Sequence, residues 1–168
     1  MKQVPIETSR ILRNKRKLEA SLKVKLKKKG RNMLIEGEGE EEFIAEKVLE
    51  ALNFGFKLEQ ALLLKREDFV LEEILIKNFT KRKDLSRIRA RIVGKKGQTK
   101  KHIQDISNCL IALKDNTVAI IGEAQDIRQA MNGVINIIQG SKQGSVYSFM
   151  ERCKKESKQR GQDLGLKE

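Results

Sequence analysis

The stretch Arg91-Ile92-Val93-Gly94-Lys95-Lys96-Gly97-Gln98-Thr99-Lys100-Lys101 sets two glycines around two lysines, between two segments of helical spacing. Glycine lets a backbone come close to a ligand, and the lysines between supply positive charge. Gln98 to Ser107 reads as a helix, so its unpaired N–H groups and the positive end of its dipole face the same loop. A backbone phosphate is the natural occupant. A glycine pair at this spacing is expected by chance about once in a chain of this size, so its surroundings decide its meaning.

Those surroundings fall into a regular order. Val70 to Phe79 is rich in β-branched and aromatic residues and reads as a strand. Leu85, Ile88 and Ile92 recur at helical spacing, with Arg87, Arg89 and Arg91 off that stripe. After the loop comes the second helix, with Ile103 and Ile106 inward. Cys109, Ile111 and Leu113 alternate as a strand, Asp115-Asn116 makes a tight turn, and Thr117 to Ile121 returns, closed by Gly122. Ala124 to Gln139 is a helix with Ile127, Ala130, Met131, Val134, Ile135 and Ile138 on one face. The order is β-α-α-β-β-α.

The same charge pattern occurs earlier in the chain. Residues 9–31 hold eleven Lys/Arg and one acid, residues 36–50 seven Glu and one Lys, and residues 77–102 again eleven Lys/Arg and one acid. A basic block, an apolar strand pair and an amphipathic helix therefore occur twice. In the first copy Leu22, Val24 and Leu26 alternate with Lys23, Lys25 and Lys27, Lys28-Lys29-Gly30 turns, and Met33-Leu34-Ile35 returns. Phe43, Ile44, Val48, Ala51 and Leu52 line a helix ending near Gly55. The alternating lysines have two readings, an RNA contact or the solvated face of a sheet.

Composition narrows the function. The 168 residues include 36 Lys plus Arg against 23 Asp plus Glu, a net charge of +13, which favours a polyanionic partner. No stretch has the roughly 20 apolar residues of a membrane span. Met1 to Pro5 lacks a signal-peptide core, so a cytoplasmic protein with no membrane partner is expected. Cys109 and Cys153 have no metal-ligand spacing, Cys109 reads as strand packing, and the one histidine, His102, has no triad or zinc partner pattern. It reads as a helix residue near the loop, within reach of a ligand. The Glu run at 36–46 suits a strand end and a helix start, where acids favour the dipole, better than a metal loop. No nucleophile, metal cluster or acid–base pair appears, so neither an enzyme nor a cofactor is expected.

A β-α-α-β-β-α unit with Gly94-Lys95-Lys96-Gly97 between its first two helices resembles a type I KH domain, over Val70 to Gln139. Several stretches extend the likeness: Arg91 to Lys101, Lys114-Asp115-Asn116-Thr117-Val118-Ala119-Ile120-Ile121-Gly122, and Gly140 with Gly144-Ser145-Val146-Tyr147-Ser148-Phe149-Met150-Glu151. Asn53-Phe54-Gly55-Phe56 leading to Ala61-Leu62-Leu63-Leu64 matches a connector between two units. On these residues the chain resembles the archaeal tandem-KH proteins related to the Pno/Dim/Krr small-subunit assembly factors. The fold class expected is α+β, two tandem type I KH-like units with a C-terminal helix. The boundaries are 1–55 for a degenerate unit, 56–68 for a helical connector, 69–140 for the KH domain, and 141–168 for the C-terminal helix and tail. The two units either pack rigidly or swing on the connector. Tyr147 and Phe149 are expected to dock the last helix, and the tail from Met150 to Glu168 reads as a basic helix with a frayed end.

The chain departs from the family in two places. No glycine precedes Gly30, so the first unit has no GxxG loop, and Arg13-Asn14-Lys15-Arg16 occupies that region. Where the family often has Pro-His after Gly140, this chain has Lys142-Gln143.

The resemblance implies a clamp for about four unpaired nucleotides. Gly94, Lys95, Lys96 and Gly97 would take the backbone, and Arg91, Gln98, Lys100 and Lys101 would rim the site. Ile92, Val93, Ile103, Ile106, Ile111 and Leu113 are the candidates to line an aliphatic groove for bases, with core packing as the other reading for most of them. With 4% aromatics, stacking platforms should not dominate. The implied partner is single-stranded small-subunit rRNA near its 3′ end, with the Nob endonuclease and the alpha subunit of initiation factor two as protein partners. A general single-strand binder of RNA or DNA is the alternative. Gly94→Asp with Gly97→Asp is expected to weaken RNA binding while leaving the fold intact.

Overall fold

Alternating and continuous apolar runs make different strands here, and that difference sets the architecture. The structure, a computed structural model, describes residues 1–163. The first unit runs β1 (Lys2–Pro5), α1 (Ser9–Arg13), α2 (Lys15–Leu22), β2 (Lys25–Lys29), β3 (Asn32–Glu36) and α3 (Gly39–Phe54). A short helix, α4 (Leu58–Ala61), and a 3₁₀ turn (Leu62–Lys65) lead to the second unit. That unit runs β4 (Phe69–Leu75), α5 (Leu85–Val93), α6 (Gln98–Ser107), β5 (Leu110–Lys114), β6 (Thr117–Glu123) and α7 (Ala124–Ile138), followed by α8 (Gln143–Asp163). Both units are β-α-α-β-β-α, with antiparallel sheets ordered β1-β3-β2 and β4-β6-β5.

The first sheet has one dry face. Val4, Leu26, Met33 and Ile35 are buried against α1, α2 and α3, while Lys25, Lys27 and Lys29 are exposed on the other face. Lys27 pairs with Glu36 at 2.8 Å. The second sheet is dry on both faces: Val118, Ala119, Ile120, Ile121 and Gly122 of β6 are buried in succession. One set, Val118 and Ile120 with Ile74 and Ile111, packs under α5, α6 and α7. The other, Ala119, Ile121 and Ala112, joins the first unit's core beside Leu49, Leu52 and Leu64. Helix α3 is thus wedged between two sheets, and the layers run sheet, helices, sheet, helices. The ion pair of Lys114 on β5 with Glu7 of the first unit also crosses this seam. A packed seam, rather than a connector free to swing, joins the units.

Several details differ from the sequence reading. β1 lies in a stretch read only as a terminus, since four residues show too short a pattern. Leu22 ends α2 instead of opening a strand, and Lys23 turns the chain at φ 55°. Phe43 is 53% exposed beneath the Lys2 ammonium rather than lining α3. The strand from Val70 stops at Leu75, and Ile76 enters the core from a 3₁₀ turn. On α7, Ile137 is buried where Met131 and Ile135 are half-exposed. Val146 and Met150 dock α8, with Gln129 donating to the Met150 carbonyl, whereas Phe149 faces outward under Arg152. The reading of residues 164–168 as part of a frayed end lies outside the described residues. The Glu run finds electrostatic partners: Glu42 meets the N-terminal amine at 3.0 Å, and Glu46 meets Lys2.

The seam also holds a titrating group. Glu73 on β4 and Glu50 on α3 line one cavity of about 190 Å³ there, with Glu7 and Lys114. Partial burial, then the Glu50 charge, push the Glu73 carboxyl above 4.5. A carboxyl raised by folding holds its proton more tightly in the folded state, so stability declines as pH climbs from 4.5 through the raised value. Glu73→Gln stays neutral and is expected to flatten that decline and raise stability at neutral pH. Urea midpoints taken from about pH 4 to 7 check this; an unchanged pH profile contradicts it.

Candidate nucleic-acid interface

The loop of the second unit is built from both sides. Asp84 caps α5, its carboxylate accepting from the Ser86 hydroxyl at 2.8 Å and the Arg87 N–H at 3.3 Å, and both bonds lower its pKa. Ile88 and Ile92 seat the helix in the core. Gly94 ends it at φ 76°, ψ 174°, donating its N–H to the Ala90 carbonyl at 2.8 Å. Lys96 at φ 53° and Gly97 at φ 74° then turn the chain into α6 through left-handed backbone. Gly97 is the N-cap and has no side chain, so no side chain caps the start of α6.

Charge is concentrated at this uncapped helix end. Lys95 and Lys96 are exposed, as is Lys101, with Lys100 half-exposed, and among the described residues none of the four has an acidic partner. Gln98 is exposed on the first turn. Thr99 is buried, and its Oγ1 accepts from Gln143 Nε2 at 3.0 Å. The same nitrogen lies 3.2 Å from the Arg91 carbonyl. Gln143 thus pins the two helix ends beneath the loop. Sequence reasoning had no signal for that contact, because it joins residues more than forty positions apart.

Of the six apolar residues weighed for the groove beside the loop, two line it and four fill the core. Ile92, Ile103 and Ile111 are at most 2% exposed and Ile106 is 8% exposed; all four are core, with almost no surface to offer a base. The helical and strand periodicity that singled them out marks the inward face. Arg91 also turns inward, donating to the Ile137 carbonyl at 3.0 Å and the Ser141 carbonyl at 2.6 Å, so it secures the end of α7 rather than rimming the site. Val93 and Leu113 do reach the surface. With Arg89, Ala90, Gly94 and Asp115 they line a groove of about 490 Å³ continuous with the loop. Arg89 Nη1 donates to the Asp115 carbonyl at 3.1 Å across it.

The remaining candidates take structural roles. His102 stacks on Tyr147 of α8, with centroids 4.1 Å apart and 21° between planes. Cys109 is buried beside Ser107, and burial pushes its thiol up to about 11, leaving it unreactive. In the first unit a single residue, Asn14, separates α1 from α2, and its N–H and Nδ2 both bond the Arg10 carbonyl. There is no loop there to approach a phosphate. No helix among the described residues is long and apolar enough to cross a membrane.

Known proteins share this arrangement. The profile of the eukaryotic type KH-domain (KH-domain type I), in its form for the second such domain of PNO1, matches residues 70–155. The pre-rRNA-processing protein PNO1 of Kluyveromyces lactis is 35% identical over 115 residues, 67% of this chain and 42% of that protein. A KH domain-containing protein of Methanocaldococcus jannaschii is 30% identical over 109 residues, 64% of this chain and 48% of that protein. The chain thus spans about half the length of the curated relatives it matches. Over both units it superposes on a chain of the a/eIF2alpha–aDim2p–rRNA complex of Pyrococcus horikoshii OT3. There the TM-score is 0.83 at 29% identity, covering 92% of this chain and 94% of that one. With the loop, the helix pair and the hairpin all inside the matched span, the chain belongs to the Pno/Dim branch of the type I KH-domain family.

Proposed function

We propose that this chain holds single-stranded RNA of the small ribosomal subunit, near the rRNA 3′ end, on the unit spanning 69–140 during subunit maturation, and does so without catalysis. The observation that carries this is the loop. Two left-handed glycines expose backbone at an uncapped helix N-terminus, ringed by Lys95, Lys96, Lys100 and Lys101 with no acidic partner among the described residues. Such a site neutralises phosphate by N–H donation and charge together. Holding a phosphate there requires no bond to break.

The relatives support the ribosomal part of the reading: one is named for pre-rRNA processing, and one structural neighbour was solved with rRNA and a/eIF2alpha. An initiation factor two alpha subunit is accordingly proposed as a protein partner, and the Nob endonuclease as a second. The 1–55 unit acts as support through the seam, and the setting is cytoplasmic.

The test is binding to a labelled small-subunit rRNA 3′ fragment, with scrambled RNA and matching DNA as competitors, across several salt concentrations. Selective binding that survives moderate salt is the expected result. Equal, steeply salt-sensitive binding to all three points instead to a general single-strand binder. Lys95→Glu with Lys96→Glu is expected to weaken binding at least tenfold and to reduce the slope of log affinity against log salt by about 1.4, two single-strand phosphate contacts' worth. An unchanged slope removes the loop from the site.

A further inference from the structure

The groove beside the loop is equipped to choose a base. Its walls, Ala90, Val93 and Leu113, are apolar and suit the faces of any base. Selection must come from its polar residues, Arg89 and Asp115. Arg89 Nη1 is tied to the Asp115 main-chain oxygen, which sets guanidinium and Asp115 side by side and leaves Nε and Nη2 without a partner among the described residues. The Asp115 carboxylate has no partner there either.

We propose that this groove selects cytosine, with Arg89 donating to its O2 and N3 and Asp115 accepting from its N4 amino group. The inference rests on the reading of the loop as an RNA site. Cytosine presents two neighbouring acceptors followed by a donor on one edge, which mirrors a guanidinium beside a carboxylate. Uracil carries a proton on N3, a donor turned against the guanidinium, and ends in O4, an acceptor facing the carboxylate. Adenine has one acceptor, N1, beside its amino donor, so one guanidinium N–H is left over. Guanine inverts the balance, offering O6 alone to Arg89 and two donors to Asp115.

Burial decides between cytosine and guanine. Arg89 is half-buried, whereas Asp115 is exposed and can satisfy itself with water. The larger cost falls on leaving the more buried group short of partners, so the base that satisfies the guanidinium twice is preferred.

The test uses four uridine-rich oligoribonucleotides of one length, carrying C, U, A or G at a single central position, titrated by fluorescence anisotropy against the full chain. Asp115→Asn is measured beside it. Asn tolerates the φ of 51° at this turn and offers both an acceptor for N4 and a donor for O4. The full chain is expected to bind the C oligomer about tenfold more tightly than the U oligomer, and the variant to keep its affinity for C while that preference narrows, the remainder being held by Arg89 against the uracil N3–H. Preference for G, equal affinity for all four, or an Asn variant whose preference for C over U is undiminished overturns the cytosine assignment and leaves RNA holding at the loop standing. Failure to bind any of the four overturns both.

Discussion

Gly94→Ala is expected to cost about 3 kcal/mol of stability or more and to abolish RNA binding. At φ 76°, ψ 174° the residue occupies backbone that is nearly reserved for glycine. A Cβ there would also sit 2.6 Å from Thr99 Cβ and 2.7 Å from the Thr99 backbone nitrogen, closer still to its hydroxyl. Thr99 cannot retreat, because it is buried at the start of α6 and held by Gln143. Relief requires the two helix ends to separate, and that dismantles the phosphate cradle. Gly97 behaves differently: its φ of 74° is ordinary left-handed helix and a Cβ would meet nothing within 4 Å. Gly97→Ala is expected to cost only about 1 kcal/mol. Urea denaturation of the two variants, read beside anisotropy with the rRNA fragment, checks the contrast; equal stability losses contradict it. The paired aspartate substitution, expected from sequence to leave the fold intact, therefore does so only at Gly97, and Gly97→Asp alone is the clean probe of phosphate repulsion.

Ile121→Ala is expected to destabilise the chain by about 2–5 kcal/mol, as much as Ile120→Ala. Neighbours on β6, the two point to opposite faces of the sheet. Ile120 fills the second unit's own core, and Ile121 fills the core shared with α3 and the connector, each with no exposed surface. If the seam were an open or swinging contact, Ile121→Ala would cost little while Ile120→Ala kept its full effect. Both variants are also expected to unfold in one transition, since the Ile121 cluster contains residues of both units. Two separated transitions would show that the units fold independently.

The seam shows where legibility ended. Val118-Ala119-Ile120-Ile121-Gly122 is a continuous apolar run, which signals a strand covered on both faces. The lysine-interleaved strand of the first unit signals one covered face. The difference was written in the residues, but the identity of the cover was not, because α3 shows only that it is apolar around much of its circumference. Phe43 illustrates the converse. Its place in an apolar stripe suggested the core, yet it stands exposed near the start of α3 with the Lys2 ammonium over its ring.

The GxxG loop, the helix pair around it, the duplicated strand-and-helix order and the missing clamp of the first unit were all determined by the sequence itself. Glycine freedom, helical spacing and strand alternation are local properties, and local properties survive in a linear reading. Which side chains stand open to a nucleotide was decided only by tertiary structure. Ile92, Ile103 and Ile111 vanish into the core, Arg91 is spent on carbonyls 46 and 50 residues away, and Arg89 and Asp115 meet across a groove from positions 26 residues apart. Periodicity records which face of an element is apolar. It does not record what covers that face or where two faces leave a gap, because both depend on contacts between residues distant in the chain.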